Sequence, residues 1–347
     1  MLPMSAEPPT TESDKKLVIL DPHPRKIDEI FTKADLARLQ QMAHVVWAKD
    51  EPMPAAEMAK VQRDAYAIIT ARWRGIPLAD LPALHTILEV SGRHPSPTLL
   101  DYDACFARGI RVLSCAPAFG PMVAEMALGM ALAASRQIVA GHVGFADGTE
   151  RYLHQGNLDT FTLFDKPVGF IGFGGLARAL RPLLAPFRCP IQVYDPWVAP
   201  TYLRDQGVIP MTLEEVLTTS RVIFVLAIPS VENKALLDEA LLNLIPADAV
   251  FVLMSRAHVV DFDALTEMLY AGRFRAAIDV FPEEPVPADH PIRHAPNVVL
   301  SGHRAGSIQA ELRTIGHLVA NDLEAMLAGL PPLEMQMAQP EIVRRLP

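Results

Sequence analysis

Short apolar runs recur along this chain, each followed by a polar or amphipathic stretch long enough for a helix. In the first third, Leu17–Leu20, Ala67–Thr70 and Thr86–Val90 read as buried strands, and Lys33–Met42 reads as a helix. Strand and helix signals in alternation predict an α/β unit on a parallel sheet. Between Cys115 and Ile138 turn-forming residues give way to a long apolar helix, and the crossing into a second domain is placed near Phe119. The segment Ala140–Phe161 is less regular and reads as an arm or surface loop.

From Val168 to His303 the rhythm is regular. Val168–Ile171, Ile191–Tyr194, Arg221–Pro229, Ala249–Ser255, Arg275–Phe281 and Asn297–Ser301 read as strands of a doubly wound sheet. Leu176–Leu184 reads as a helix kinked at Pro182, and Thr212 with Glu215 forms a capping box for another through Leu217. A last helix, Ile308–Leu327, stops at Gly329 with Pro331 beyond it.

The join after the strand Val168–Ile171 is Gly172-Phe173-Gly174-Gly175-Leu176-Ala177, a G-x-G-x-x-A turn. In a dinucleotide-binding turn the first glycine permits the tight bend and the second lets a pyrophosphate approach the backbone. The third position needs a small residue for helix–strand packing, and the helix N-terminus offers its N–H groups to the phosphates. Alone, the turn fits equally a strand–helix join that binds nothing. Asp195 closes the next strand 21 residues beyond Gly174, where an acid accepts hydrogen bonds from the ribose hydroxyls and repels a 2′-phosphate. That pairing predicts NAD, in preference to NADP, with Gly172, Gly174, Gly175, Leu176 and Asp195 around it.

At 347 residues the chain is long enough for two cores; half its residues are hydrophobic, which predicts a soluble globular protein. A net charge of −9 offers no nucleic-acid footprint. Cys105, Cys115 and Cys189 lack metal-ligand spacing, and so sparse and odd a count fits a reducing, cytoplasmic setting without metal or disulfide framework. The leader "MLPMSAEPPTTESDKK" is polar and proline-rich, reads as disordered and has no signal-peptide core; "MALGMALAAS" is too short to span a membrane.

Three chemically useful side chains stand where predicted strands end: Arg256, Glu284 and His303. Singly, each reads as a cap, a solvated turn or a structural histidine. Together beside a dinucleotide turn they form a working set. Hydride transfer between a nicotinamide and a hydroxy acid leaves a proton for a histidine, a carboxylate fixes that histidine's tautomer, and an arginine grips the substrate carboxylate.

The run Ser255–Ser307, "SRAHVVDFDALTEMLYAGRFRAAIDVFPEEPVPADHPIRHAPNVVLSGHRAGS", with "ARGIRVLSCAPAFGPMVAEMAL" before it, resembles the D-isomer-specific 2-hydroxyacid dehydrogenases. The resemblance spans about Thr86 to Leu330. It implies two Rossmann-like domains, with an NAD-binding domain at 119–303 inserted into a discontinuous, flavodoxin-like substrate domain at 1–118 and 304–347, and a cleft that closes on substrate. It implies interconversion of a D-2-hydroxy acid and its 2-keto acid, with His303 as acid/base, Glu284 orienting it and Arg256 binding substrate. Asp279 would sit near the nicotinamide amide, and Ile228, Asn233, Met254 and Ser255 would line the cofactor. Gly92 would lie in a loop whose N–H groups hold the substrate carboxylate. Homodimers joined through the NAD-binding domains, using the 140–165 arm, are also implied.

This chain departs from the family in carrying Leu253-Met254-Ser255-Arg256-Ala257 for N-x-x-R-G, and Ser301-Gly302-His303 for Thr-Pro-His. The stretch from Gly92 to Gly109 exceeds the family habit by a few residues and reads either as a surface insertion or as a loop whose Arg93 would select substrates with a second anionic or polar end. A corepressor-like nucleotide sensor could keep the same triad, so that class stays open at the level of sequence; turnover of a keto acid separates the two.

Overall fold

The computed structural model describes residues 15–346, so the leader read as disordered lies, up to Asp14, outside the described residues. The chain forms two compact units, one running to Phe119 and resumed by Gln309–Leu346, the other spanning Gly120–Ile308.

The first unit holds five parallel strands: β1 (Leu17–Asp21), β2 (His44–Trp47), β3 (Ala65–Thr70), β4 (Thr86–Glu89) and β5 (Arg111–Ser114). Their spatial order is β5-β4-β3-β1-β2, the flavodoxin-like arrangement. β1, β3 and β4 are buried almost throughout, which explains why they read as continuous apolar runs rather than alternating ones. The helix Lys33–Met42 forms as expected, with the Thr32 hydroxyl accepting the Asp35 N–H as its cap.

The second unit is built on seven parallel strands: β6 (Val168–Ile171), β7 (Ile191–Tyr194), β8 (Ile209–Pro210), β9 (Val222–Val225), β10 (Val250–Leu253), β11 (Arg275–Ile278) and β12 (Val298–Leu300). The order is β12-β11-β10-β9-β6-β7-β8, so the winding reverses between β6 and β9. Six strands were legible; the seventh, β8, is too short for any periodicity to show. Several predicted strands are also longer than their ladders. Leu226 and Met254 lie beyond β9 and β10 yet remain buried, because apolarity reports burial rather than backbone pairing.

Two helices sandwich tightly on one face of this sheet. Gly120–Ser135 presents Ala124, Ala127, Ala131 and Ala134 to the core, and Gly175–Leu184 packs against it with Ala177, Leu180 and Leu184. Alanine faces allow close helix approach without voids. The second of these helices runs past Pro182 and stops two residues later. By length and composition the stretch Ala116–Ser135 could cross a bilayer, longer than the decapeptide considered from sequence; in this fold its small residues are core contacts. The capping box is formed, with Thr212 Oγ1 accepting the Glu215 N–H at 3.2 Å and Glu215 Oε2 accepting the Thr212 N–H at 2.9 Å.

Two boundaries differ from expectation. Part of the irregular arm is a helix, Ile138–Ala146, whose apolar residues face outward and so give no amphipathic period. The last helix starts at Thr314, since the chain passes between units at Ile308 and then turns through Glu311–Arg313. Beyond it, β13 (Gln336–Met337) pairs antiparallel with β5. The buried carboxylate of Asp322 holds that return by accepting the N–H groups of Leu333, Glu334 and Met335.

Candidate active site

The glycine turn leaves β6 at the point where the winding reverses, which is where open parallel sheets bind ligands. Gly172 has φ +96, and a Cβ there would lie 2.7 Å from the Ala227 backbone, so the protein itself requires glycine. Gly174 is different. A Cβ on it, or on Gly175, would meet nothing within 4 Å, so the fold leaves a space that a bound group can fill. No side chain caps the helix that begins at Gly175, and its first N–H groups and positive dipole end face that space. Leu176 is half-buried against the core below.

Asp195 ties this turn to the end of β7. Its Oδ2 accepts the Phe173 N–H at 2.7 Å and its Oδ1 the Trp197 N–H at 2.9 Å. Each carboxylate oxygen keeps a further lone pair for a ribose hydroxyl. Across the switch point, Asn233 clamps its own loop: its Oδ1 accepts the Ser230 N–H and its Nδ2 donates to the Ile228 carbonyl, both at 2.8 Å. His258 Nε2 stands 2.9 Å from the Ser230 carbonyl, joining this loop to the one after β10. Met254 and Ser255 leave β10 buried, and the Ser255 hydroxyl is sequestered without a hydrogen-bond partner. An orphaned buried hydroxyl, an uncapped helix and a vacant glycine edge at one switch point fit a dinucleotide.

The three chemical side chains follow β10, β11 and β12, farther along the same sheet. Glu284 Oε2 lies 2.6 Å from His303 Nδ1, and its Oε1 accepts the Phe281 N–H at 3.0 Å. A carboxylate can only accept, so Nδ1 carries the hydrogen and Nε2 is left to exchange a proton. Burial acts to raise the Glu284 carboxyl, but the His303 and Phe281 hydrogen bonds and the charges of His303 and Arg256 outweigh it and hold it below the usual range. Arg256 follows the end of β10 in extended conformation and donates from its guanidinium to the Ser255 carbonyl at 2.7 Å.

His303 has φ +49, a left-handed conformation uncommon outside glycine. Asp279, 1% exposed at the end of β11, fixes it by accepting the N–H groups of Arg304 and Ala305 at 3.1 and 3.2 Å. Beside the pair opens a cavity of about 530 Å³ walled by Phe281, Val286, Ile292 and Leu300, with Arg293 and Ser301 at its polar positions.

In the first unit, Gly92 has φ +97 and packs against Phe119, leaving no room for a Cβ. The N–H groups of Ser91, Gly92 and Arg93, expected to hold a substrate carboxylate, all donate to one oxygen of Glu89, at 3.0, 3.1 and 3.2 Å. Glu89 is 3% exposed, and burial pushes its carboxyl up to about 7 against the opposing hydrogen bonds from that loop. Sequence reasoning passed over Glu89, His258 and Trp197. For Glu89 a signal existed: an acid closing an apolar strand immediately before a glycine turn.

A parallel sheet whose reversal point carries an uncapped glycine turn, answered by an aspartate at the next strand end, makes the second unit a dinucleotide-binding domain. The chain belongs to the D-isomer specific 2-hydroxyacid dehydrogenases, whose NAD-binding domain matches residues 128–305. It is 30% identical over 231 residues to the D-3-phosphoglycerate dehydrogenase of Mycobacterium bovis, covering 66% of this chain but 43% of that protein. It is 27% identical over 314 residues to the glyoxylate reductase of Thermofilum pendens, covering 88% of this chain and 92% of that one. A crystal structure of a phosphoglycerate oxidoreductase from Rhizobium etli superposes with a TM-score of 0.81 at 37% identity, over 94% of this chain and 99% of that chain.

The two glycines give opposite expectations. Gly172→Ala lowers the unfolding midpoint sharply, whereas Gly174→Ala leaves it near wild type and weakens NADH binding in a fluorescence titration. Unchanged NADH binding in Gly174→Ala would show that the space at Gly174 has no ligand role.

Glu89 makes stability depend on pH. A carboxyl raised in the folded state favours folding below its ordinary value of 4.5 and loses that contribution as pH climbs towards about 7. Glu89→Gln removes the titration, so its stability relative to wild type rises between pH 4.5 and 7 by on the order of 3 kcal/mol. Denaturant unfolding at pH 5 and pH 8 checks this; a difference that stays constant with pH refutes it.

Proposed function

We propose that this chain is an NAD-dependent oxidoreductase interconverting a D-2-hydroxy acid and its 2-keto acid. The observation that carries this reading is the 2.6 Å contact between His303 Nδ1 and Glu284, set at the strand ends of the dinucleotide domain with the Arg256 charge close enough to bear on Glu284. NAD, when bound, supplies or accepts the hydride. His303 gives the proton from Nε2 to the keto oxygen during reduction and takes it back from the hydroxyl during oxidation. Glu284 holds the ring's tautomer and stabilises the imidazolium. Arg256 grips the substrate carboxylate and polarises the carbonyl. Asp279 keeps the His303 segment in place and would lie toward the nicotinamide end of a bound NAD.

The first unit is assigned as the substrate domain, with Gly92 and Arg93 at its substrate-binding loop. A small 2-keto acid is the substrate class; the names of the relatives above, phosphoglycerate dehydrogenase and glyoxylate reductase, put glyoxylate, hydroxypyruvate and phosphohydroxypyruvate first for screening with NADH. The protein is assigned to the cytoplasm, in keeping with three unpaired cysteines. It is assigned as a homodimer through the 138–158 arm. That arm exposes Ile138, Val143, Phe145, Tyr152, Leu153 and Leu158, an apolar concentration that a second copy would cover.

His303→Gln leaves NADH binding intact and lowers keto-acid reduction by about a hundred- to ten-thousand-fold. Glu284→Gln costs less and displaces the pH optimum, because the charge supporting the imidazolium is gone. Steady-state kinetics across pH measures both; near-full turnover in His303→Gln rules out the mechanism.

Asp195 sets the choice of cofactor. Wild type binds NADH more tightly than NADPH, and Asp195→Ser narrows the difference. Fluorescence titration with each nucleotide decides, and equal or tighter NADPH binding by wild type removes the role given to Asp195.

A further inference from the structure

Glu284 sits on a loop with little means of holding itself. In Phe281–Pro291, "FPEEPVPADHP", the residues Pro282, Pro285, Pro287 and Pro291 carry no N–H, so main-chain hydrogen bonds can do little to order it. Pro282 to Pro285 are exposed, and beside Glu284 and His303 the loop borders the cavity of about 530 Å³ rather than packed core. Close packing therefore does not fix the carboxylate on that side.

One side chain answers the carbonyls of this loop. Arg293 donates from Nε to the Pro287 carbonyl at 2.8 Å and from Nη2 to the Val286 carbonyl at 2.6 Å. The Pro287 carbonyl also accepts the His290 N–H at 3.2 Å. A planar guanidinium presents its N–H groups in a rigid fork, so two adjacent carbonyls are set against it at once. The fork has a firm base, because Arg293 stands on the short turn Pro291–His294 next to the fully buried Ile292. His290 Nδ1 accepts the Ile292 N–H at 3.2 Å, and the His290 ring lies 6.1 Å from that of Phe262, which meets Phe281 edge-on. Phe281 in turn donates its N–H to Glu284 Oε1. The loop is thus tied at Phe281 on one side of Glu284 and at Val286 and Pro287 on the other. The charges that bear on Glu284 are those of His303 and Arg256, so Arg293 acts through the main chain.

We propose that Arg293 is a positioning residue: by spanning the Val286 and Pro287 carbonyls it holds the Glu284 carboxylate on His303 Nδ1. Its consequence for catalysis rests on the proposed reaction.

Two measurements test this, one of which needs no substrate. In the free protein Glu284 Oε1 protects the Phe281 amide from hydrogen exchange. Arg293→Ala speeds that exchange towards the rate in Glu284→Ala, and Arg293→Lys, which lacks the fork, falls between wild type and Arg293→Ala. The second measurement is steady-state reduction, with NADH, of whichever of glyoxylate, hydroxypyruvate and phosphohydroxypyruvate wild type turns over. Arg293→Ala lowers kcat by about ten- to a hundredfold, moves the pH optimum in the same direction as Glu284→Gln and leaves NADH affinity unchanged. In a Glu284→Ala background Arg293→Ala brings no further loss, because no carboxylate is left to place. Unchanged exchange at Phe281, a wild-type kcat, an unmoved pH optimum or losses that multiply in the double variant overturn the role of Arg293 and leave the reaction standing. Faster Phe281 exchange in a protein that binds NADH but reduces none of these acids keeps the clamp and removes the reaction instead.

Discussion

A carboxylate buried at the end of a central strand must be answered by hydrogen-bond donors, and Asp279 is answered by the main chain of Arg304 and Ala305. The site of the second unit depends on that exchange. It fixes the backbone immediately after His303, keeps that residue at φ +49, and so delivers Nδ1 to Glu284 at 2.6 Å. The local strain is held by a buried acid that belongs to the sheet, so the rigidity of the strands is passed directly to the His303 ring.

The same device recurs wherever a loop must be held. Asp195 fastens the glycine turn and the turn after β7 with one oxygen each. Asp322 gathers three N–H groups to bring the last strand back onto β5, and Glu89 gathers three more beneath the loop after β4. These acids answer main-chain donors rather than cations, so their effect is geometric. Each sets a short segment that no helix or ladder would otherwise order, and three of the four lie at the carboxyl ends of parallel strands. Such ends are where a doubly wound fold keeps its chemistry.

Asp195 and Glu89 nevertheless serve opposite ends. Asp195 is half-buried, and its oxygens retain capacity for a ligand's hydroxyls after binding two N–H groups. Glu89 is buried and takes up the three N–H groups of its own loop. Burial decides between an acid that helps to receive a ligand and one that closes a cradle.

The sequence by itself determined three strands of the first unit's sheet and all but the edge strand β8 of the second's, the glycine turn with its aspartate, and the identity of the arginine, glutamate and histidine that meet at the strand ends. Those features are carried by local signals: apolar runs of strand length, a turn that only small residues can make, and the fixed spacing of a βαβ unit. The edge strand β8 was too short to leave such a signal, and the outward-facing apolar helix Ile138–Ala146 left a misleading one. The filling of the Ser91–Arg93 loop by Glu89, the left-handed His303 and the clamp of Asp279 were decided only by the tertiary structure. Whether an acid faces water, a cation or a row of main-chain N–H groups depends on what packs around it, and no residue type or spacing records that.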